Sequence, residues 1–359
     1  MSDNQGKKEI CFIMPSLCGG GAERVASVLC NYFVDHGHKV SIFLVNQDVI
    51  DYSLDSRIYV DKSLINNTKG INRILKRLFG IRRILRMKPD ATFISFLSMY
   101  SLYTLAASFG MKRDIIVSER LDPRKSIPNK KILFQARNYL YSKAKNVVFQ
   151  TPDAKAFFPD QIQDKGVIIA NPLKEDLPAS YQGQRKKVVA TFARLEPQKN
   201  YPLLICAFEE FLKYHSDYTL SIYGKGTMEE SLKELVSSKH LDKEIMFKGF
   251  CSDVHGAIRD AAMFVLPSDY EGLSNSMLEA MAIGLPVICT DCPPGGARMF
   301  ITSGENGLLT PVGDEEAMCK AMCYMAENPD LAQKMGIRAS EVRKKLSVEN
   351  ICSQWETLL

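Results

Sequence analysis

Two cations and two glutamates carry the clearest chemistry in this chain. Arg194 and Lys199 stand five positions apart in Arg194-Leu195-Glu196-Pro197-Gln198-Lys199-Asn200, directly after an apolar run, Val188 to Phe192, that reads as a strand. A guanidinium and an ammonium on one strand-end loop can face a diphosphate together, the first as a planar fork and the second as a point charge. A solvated loop is the plain alternative for such a pair. Glu271 and Glu279 lie in the stretch Leu266-Pro267-Ser268-Asp269-Tyr270-Glu271-Gly272-Leu273-Ser274-Asn275-Ser276-Met277-Leu278-Glu279-Ala280-Met281. A strand ends there in a loop carrying Glu271, a Ser/Asn-rich turn starts a helix, and Glu279 falls inside that helix on an otherwise apolar face. A carboxylate so placed needs a partner, because burying an unpaired charge is costly. Sugar and ribose hydroxyls are such partners, each donating a short hydrogen bond to the carboxylate; a backbone group or an arginine is the other choice. The helix start near Gly272 to Asn275, with Leu273 and Ser274, is read as offering N–H groups to phosphate.

Other motifs are weaker. Gly19-Gly20-Gly21 follows the first predicted strand and precedes a helical pattern at Val25, Leu29 and Phe33. Backbone N–H groups of Gly20 and Gly21 could approach phosphate there without a side-chain clash. The run is not a G-x-G-x-x-G, and no acidic residue ends the second strand as a dinucleotide site would require. Lys248-Gly249-Phe250 and Tyr223-Gly224-Lys225-Gly226 each close a predicted strand. Cys289 and Cys292 form a C-x-x-C with no second pair and no His at ligand spacing, so packing is preferred to zinc. No Asp-x-Asp occurs anywhere, and no metal or other cofactor is expected.

Between Lys69 and Lys88 eight basic residues stand with no acid among them. Ile74, Leu78, Ile81 and Leu85 make an apolar stripe at helical spacing, and Arg73, Lys76, Arg77 and Arg83 gather to one side. Such a helix is either packed on a core with a solvated cationic face, or laid against anionic headgroups or the diphosphate of a lipid-linked acceptor. Nucleic acid is not expected, because no aromatic platform or zinc module accompanies the charge.

The elements that must position these residues alternate along the chain. Apolar runs about six residues long, separated by helical patterns, predict parallel sheets covered by helices on both faces. Strands are predicted at Ile10–Pro15, Val40–Val45, Thr92–Phe96, Ile115–Ser118, Val147–Gln150 and Val167–Ala170. A polar, irregular stretch from Asn171 to Lys187 follows, and a second set begins: Val188–Phe192, Thr219–Tyr223, Ile245–Phe247, Met263–Leu266, Val287–Thr290 and Gly307–Leu309. With 359 residues, 46% hydrophobic and 24% charged, two α/β domains are the expectation, at 1–172 and 173–345, with 346–359 a helix returning to the first. The formal net charge of +5 is mild. Ten cysteines scattered through apolar stretches suit a reducing compartment, and neither a signal-peptide core nor a spanning apolar run is present, so a cytoplasmic protein is expected.

Taken in order, the glycine-rich first loop, the R-x-x-x-x-K loop and the E-x-x-x-x-x-x-x-E from Glu271 to Glu279 resemble glycosyltransferase family 4. The resemblance implies an α/β GT-B fold, two Rossmann-like domains facing each other across a cleft. It also implies a retaining, metal-independent transfer of a hexose or N-acetylhexosamine from a nucleotide-diphosphate sugar, with UDP the commonest carrier. Glu279 would bind the ribose, Glu271 the donor sugar, and Arg194 with Lys199 the diphosphate. Gly20 and Gly21 would approach the donor phosphate, and Lys248, Gly249 and Phe250 would hold the base. The first domain would take a glycan or lipid-linked acceptor, placing the enzyme on the inner face of the cell membrane in polysaccharide or lipid-linked oligosaccharide assembly. Family members often carry a first-domain His facing the sugar; this chain instead reads Ser118-Glu119-Arg120-Leu121-Asp122-Pro123, which leaves Glu119, Arg120 and Asp122 as candidates. An epimerase or phosphorylase of the same fold, or a non-catalytic nucleotide-sugar binder, is the alternative.

Overall fold

The structure, a computed structural model, describes residues 6–65, 68–128 and 131–359. The chain divides into two compact units, one of Met1–Pro172 with Val348–Leu359 and one of Leu173–Ser347. Among the described residues the first unit holds a seven-stranded sheet of β1 (Glu9–Met14), β2 (Lys39–Leu44), β3 (Tyr59–Asp61), β4 (Thr92–Phe96), β5 (Asp114–Ser118), β6 (Asn146–Phe149) and β7 (Gly166–Ile168), in the order β3-β2-β1-β4-β5-β6-β7. The second holds β8 (Lys186–Phe192), β9 (Thr219–Tyr223), β10 (Ile245–Gly249), β11 (Ala261–Leu266), β12 (Val287–Thr290) and β13 (Leu308–Thr310), in the order β10-β9-β8-β11-β12-β13. Neighbouring strands are parallel throughout. These are the doubly wound, Rossmann-like sheets that alternation of apolar runs and helices predicts, and the central strands are apolar because helices cover both faces.

Each strand order reverses once, at β1/β4 in the first unit and at β8/β11 in the second. Helices leave the sheet in opposite directions at such a point, so the loops beyond the two strand ends part and leave a crevice at the carboxyl edge. Twelve predicted strands match observed ones within a residue or two; β3 has no counterpart among them. It is three residues long, at the sheet edge, and its side chains are exposed or half-buried, so it carries no apolar run to read.

Residues 348–359 return to the first sheet through the helix Val348–Glu356. Trp355 is fully buried there, its ring stacked on Phe96 at 5.6 Å and 17°. His38 Nε2 meets Glu356 Oε1 at 2.9 Å, and Tyr32 donates to Glu349 Oε1 at 3.3 Å.

The basic helix, Gly70–Met87, packs Leu78, Ile81 and Leu85 of the expected stripe toward the core and departs from the expectation at Ile74 and Arg77. Its buried residues are Arg77, Ile81, Ile84 and Leu85, whereas Ile74 stands exposed. Arg77 therefore does not join the outer cations. Its guanidinium donates to Asn46 Oδ1 at 2.7 Å and lies 5.9 and 5.8 Å from the rings of Tyr100 and Tyr103. A cation met by an amide oxygen and two aromatic faces can sit on the inner side of a helix. The register that buries Arg77 leaves Ile71, Leu75 and Phe79, spaced four apart, on the outside at 67%, 43% and 69% exposure. Among the described residues no helix is long and apolar enough to cross a membrane.

Trp355→Ala should remove about 3–5 kcal/mol from the first unit's stability, the range for emptying a buried aromatic site. Urea unfolding followed by circular dichroism would show it as a lowered first transition, and an unchanged midpoint would mean that the terminal helix is an accessory to that core.

Candidate functional site

Within the second unit the loops at the carboxyl ends of β8, β9, β10, β11 and β12 pack on one another through backbone. Ala193 N–H donates to Tyr223 O at 3.2 Å, Leu195 N–H to Lys225 O at 3.0 Å, and Gly224 N–H to Gly249 O at 2.8 Å. So close an approach explains the glycines of the β9 loop. A Cβ on Gly224, whose φ is +134°, would stand 2.0 Å from Ala193 O, and one on Gly226 would stand 2.3 Å from Leu195 O. The β12 loop supports the β11 loop in the same way: Glu271 N–H donates to Pro293 O at 2.9 Å, and a Cβ on Gly296 would meet Gly272 O at 2.2 Å.

This packing brings Lys199 to Glu271 across the β8/β11 switch point. Lys199 lies on a single 3-10 turn, Pro197–Lys199, and its ammonium is ion-paired with the Glu271 carboxylate, their side chains 8% and 15% exposed. The Ser268 hydroxyl donates to the same carboxylate oxygen at 3.4 Å. Asn200, in the left-handed region at φ +43°, caps the next helix and donates to Asp269 Oδ1 at 2.7 Å, which ties the two loops a second time. Arg194 stands exposed on the β8 loop. The edge thus presents a desolvated cation, a solvated guanidinium and a carboxylate around one crevice.

Beyond Glu271 the chain passes Gly272 and Leu273 to Ser274, which caps the helix Asn275–Ala282. Glu279 is 5% exposed on that helix, among Met277, Leu278, Ala280 and Met281. Its carboxylate meets Nε2 of His255 at 2.9 Å, with His255 itself 5% exposed. Sequence reasoning missed His255. The one available signal was Asp253 two positions before it, a residue type that starts helices; Asp253 Oδ1 accepts from Gly256 N–H at 2.9 Å and begins the helix Val254–Ile258. Lys248, Gly249 and Phe250 close β10, two strands from β8 on the same edge, with Phe250 77% exposed. Burial pushes the thiols of Cys289 and Cys292 up, the latter to about 12, so both stay protonated, and among the described residues no group of three or more His, Cys, Asp or Glu could hold a metal ion.

In the first unit Gly20 and Gly21 open the helix Gly21–Asp35 at the end of β1, with Tyr52 donating to Gly20 O at 2.8 Å. The three candidates after β5 part company. Glu119 turns into the core, where it accepts from Ser98 and from Tyr141, and burial raises its pKa against the nearby charge of Arg137. Asp122 is a turn residue, accepting from Arg124 N–H at 3.0 Å. Neither is available to a ligand at the strand edge. Arg120, also buried at 6% exposure, donates to Asn171 Oδ1 at 2.6 Å and lies 5.0 Å over the Phe96 ring; burial pulls its pKa down to about 9 against the opposing charge of Glu23 beside the glycine loop.

Residues 174–342 match the family model described as Glycosyl transferases group 1. An uncharacterized glycosyltransferase of Haemophilus influenzae is 25% identical over 98% of this chain and 100% of its own length. The N-acetylgalactosamine-N,N'-diacetylbacillosaminyl-diphospho-undecaprenol 4-alpha-N-acetylgalactosaminyltransferase of Campylobacter jejuni is 26% identical over 88% of this chain and 89% of its own. Among solved structures, HepE of Anabaena in complex with UDP superposes with a TM-score of 0.82 at 19% identity, over 98% of this chain and 99% of that one. At that identity the likeness establishes the fold, a GT-B pair of Rossmann-like units.

The Lys199–Glu271 pair should behave as a coupled unit. Lys199→Ala leaves a nearly buried carboxylate without its charge partner, and Glu271→Ala strands the ammonium. In a double-mutant cycle followed by urea unfolding, the double variant should be more stable than the sum of the single losses by about 1–3 kcal/mol; additive losses would mean the two charges do not interact in solution.

Proposed function

We propose, from the match of residues 174–342 to the glycosyl transferases group 1 family model, that this chain is a glycosyltransferase moving a hexose or N-acetylhexosamine from a UDP-sugar to a glycan or lipid-linked acceptor, with retention and without a metal. The observation that carries this reading is the desolvated Lys199–Glu271 pair at the switch point, next to a capped helix start and a second buried carboxylate, Glu279. In the absence of donor, Lys199 is neutralised by Glu271. When a nucleotide diphosphate enters, its phosphate oxygens compete for the ammonium, and Arg194 supplies the second cation from the solvated side. Glu271 is then released toward the hydroxyls of the donor sugar, and Glu279 accepts from the ribose. Phe250 and Lys248 lie at the outer end of the edge, where the base is assigned.

Charge development accounts for the rest. As the bond from the anomeric carbon to the β-phosphate oxygen breaks, negative charge gathers on the pyrophosphate. Lys199, Arg194 and the N–H groups from Gly272 to Ser274 are placed to stabilise it, the part a divalent cation plays in other transferases. The acceptor oxygen bonds to the anomeric carbon on the same face, and its proton passes to the departing phosphate oxygen. No protein nucleophile is required. UDP is the first nucleotide to try, being the one held by HepE. The acceptor class follows the name of the Campylobacter relative, a glycan on diphospho-undecaprenol. In the first unit we assign the acceptor side to Arg120, the cation among the three candidates, near Glu23 beside the glycine loop.

A thermal-shift screen against UDP-, GDP- and ADP-sugars should give stabilisation by the UDP series, of about 2.7 kcal/mol at a hundred times Kd. Turnover of the stabilising donor should persist in EDTA, give a product with the donor's anomeric configuration, and fall at least a hundredfold in Lys199→Ala with Arg194→Ala, the scale for loss of charge-stabilising groups. Full activity of that double variant, or dependence on a divalent ion, would defeat the reading.

For the membrane, the outer face of the helix Gly70–Met87 sets Ile71, Leu75 and Phe79 beside Lys76 and Arg83, with Arg73 half-buried. Each apolar side chain is worth about 1.5–3 kcal/mol when fully buried, and each cation near anionic headgroups on the order of 1 kcal/mol. The two contributions are comparable, and an anionic lipid surface is the partner that satisfies both. Replacing Ile71, Leu75 and Phe79 by Ser should abolish co-sedimentation with phosphatidylglycerol vesicles. Arg77→Met should leave it intact, because Arg77 faces inward. Retained binding in the triple variant would make this helix ordinary surface.

A further inference from the structure

We propose that His255 is the positioning residue for Glu279, holding its carboxylate in the plane that accepts the ribose hydroxyls of the donor nucleotide. The inference rests on the assignment of Glu279 to the ribose made above. An ionised carboxylate can only accept, so the hydrogen bond of 2.9 Å between His255 Nε2 and Glu279 Oε2 places the imidazole proton on Nε2. Both residues are 5% exposed, and a hydrogen bond closed to water holds its geometry more tightly than one at the surface.

The ring has little freedom to turn away. Phe192, the last residue of β8, stands edge-on to it with centroids 5.4 Å apart and planes at 87°, and Phe192 is in turn packed against Phe264 of β11 at 5.2 Å. The short helix that carries His255 is fixed at its start by the Asp253 cap. Elements from β8, from the β10–β11 connection and from the helix after β11 thus converge on one carboxylate. A carboxylate that needs only a neutralising partner could take a flexible Lys or Arg. A rigid imidazole backed by the Phe192 ring adds direction, and direction is what a pair of vicinal hydroxyls requires of their acceptor.

The test uses the full-length protein and the binding of UDP against 2′-deoxy-UDP and 3′-deoxy-UDP by calorimetry, or of the corresponding GDP series where that is the nucleotide the wild type takes. The wild type should prefer the ribonucleotide by about tenfold or more, the scale of one hydrogen bond to a charged group. His255→Gln places an amide nitrogen near the position of Nε2 and should keep most of that preference. His255→Asn, whose shorter amide falls short of Glu279, should lose it, raising the donor KM about tenfold while kcat changes less than threefold. Thermal melting checks that both variants are folded, and His255→Phe replaces the Asn variant if that one is not. An equal, wild-type preference in the Gln and Asn variants overturns the positioning role. Glu279→Gln separates the two ideas: if it too keeps the ribonucleotide preference, or if the wild type binds neither series, the ribose assignment itself falls.

Discussion

A charge withdrawn from water must be met by an opposite charge or by donors, and that constraint organises the second unit's carboxyl edge. Lys199 and Glu271 are each nearly closed to solvent, and each is tolerated because the other is there. Glu279 solves the same problem with an imidazole. The strand reversal at β8/β11 opens the crevice, and the glycines at 224, 226 and 296 let the bounding loops close on one another's backbone, which brings the polar side chains of those loops together. Groups that satisfy one another when the site is empty, and a polyanion with several hydroxyls when it is full, are suited to exchange partners on binding.

The first unit answers the same constraint in two ways. Glu119 is drawn inward, where burial raises its pKa while the nearby charge of Arg137 and the hydrogen bonds donated by Ser98 and Tyr141 oppose the rise. Arg120, one position later, is buried among other partners, held by Asn171 above the Phe96 ring. The two were indistinguishable as adjacent charged residues in a strand-end loop; what separates them is the set of neighbours each meets, Ser98, Tyr141 and Arg137 for the carboxylate and Asn171 and Phe96 for the guanidinium.

Much of the architecture was readable because parallel strands covered on both faces are continuous apolar runs. What escaped was whatever lacked that signature: β3, three residues at a sheet edge, and the inward side chain of Arg77 on the helix Gly70–Met87. Leu78, Ile81 and Leu85 of the expected stripe do pack toward the core, but Ile74 stands outside and Arg77 inside, because a site built from Asn46, Tyr100 and Tyr103 receives the guanidinium. At the second unit's edge, Lys199 and Glu271 could be nominated from sequence since both follow strands directly. Their pairing could not, for it depends on strand order in space. His255 was invisible for the same reason, lying twenty-four positions from Glu279 with nothing local to link them.

The return of residues 348–359 to the first sheet has a consequence for the order of events during synthesis. Translation delivers the whole of the second unit before it delivers Trp355, so Phe96 and its neighbours must wait with one side of their hydrophobic layer uncovered while some 175 later residues emerge and fold. The first unit therefore keeps that face open through the synthesis of the second, and it closes only when the helix Val348–Glu356 docks.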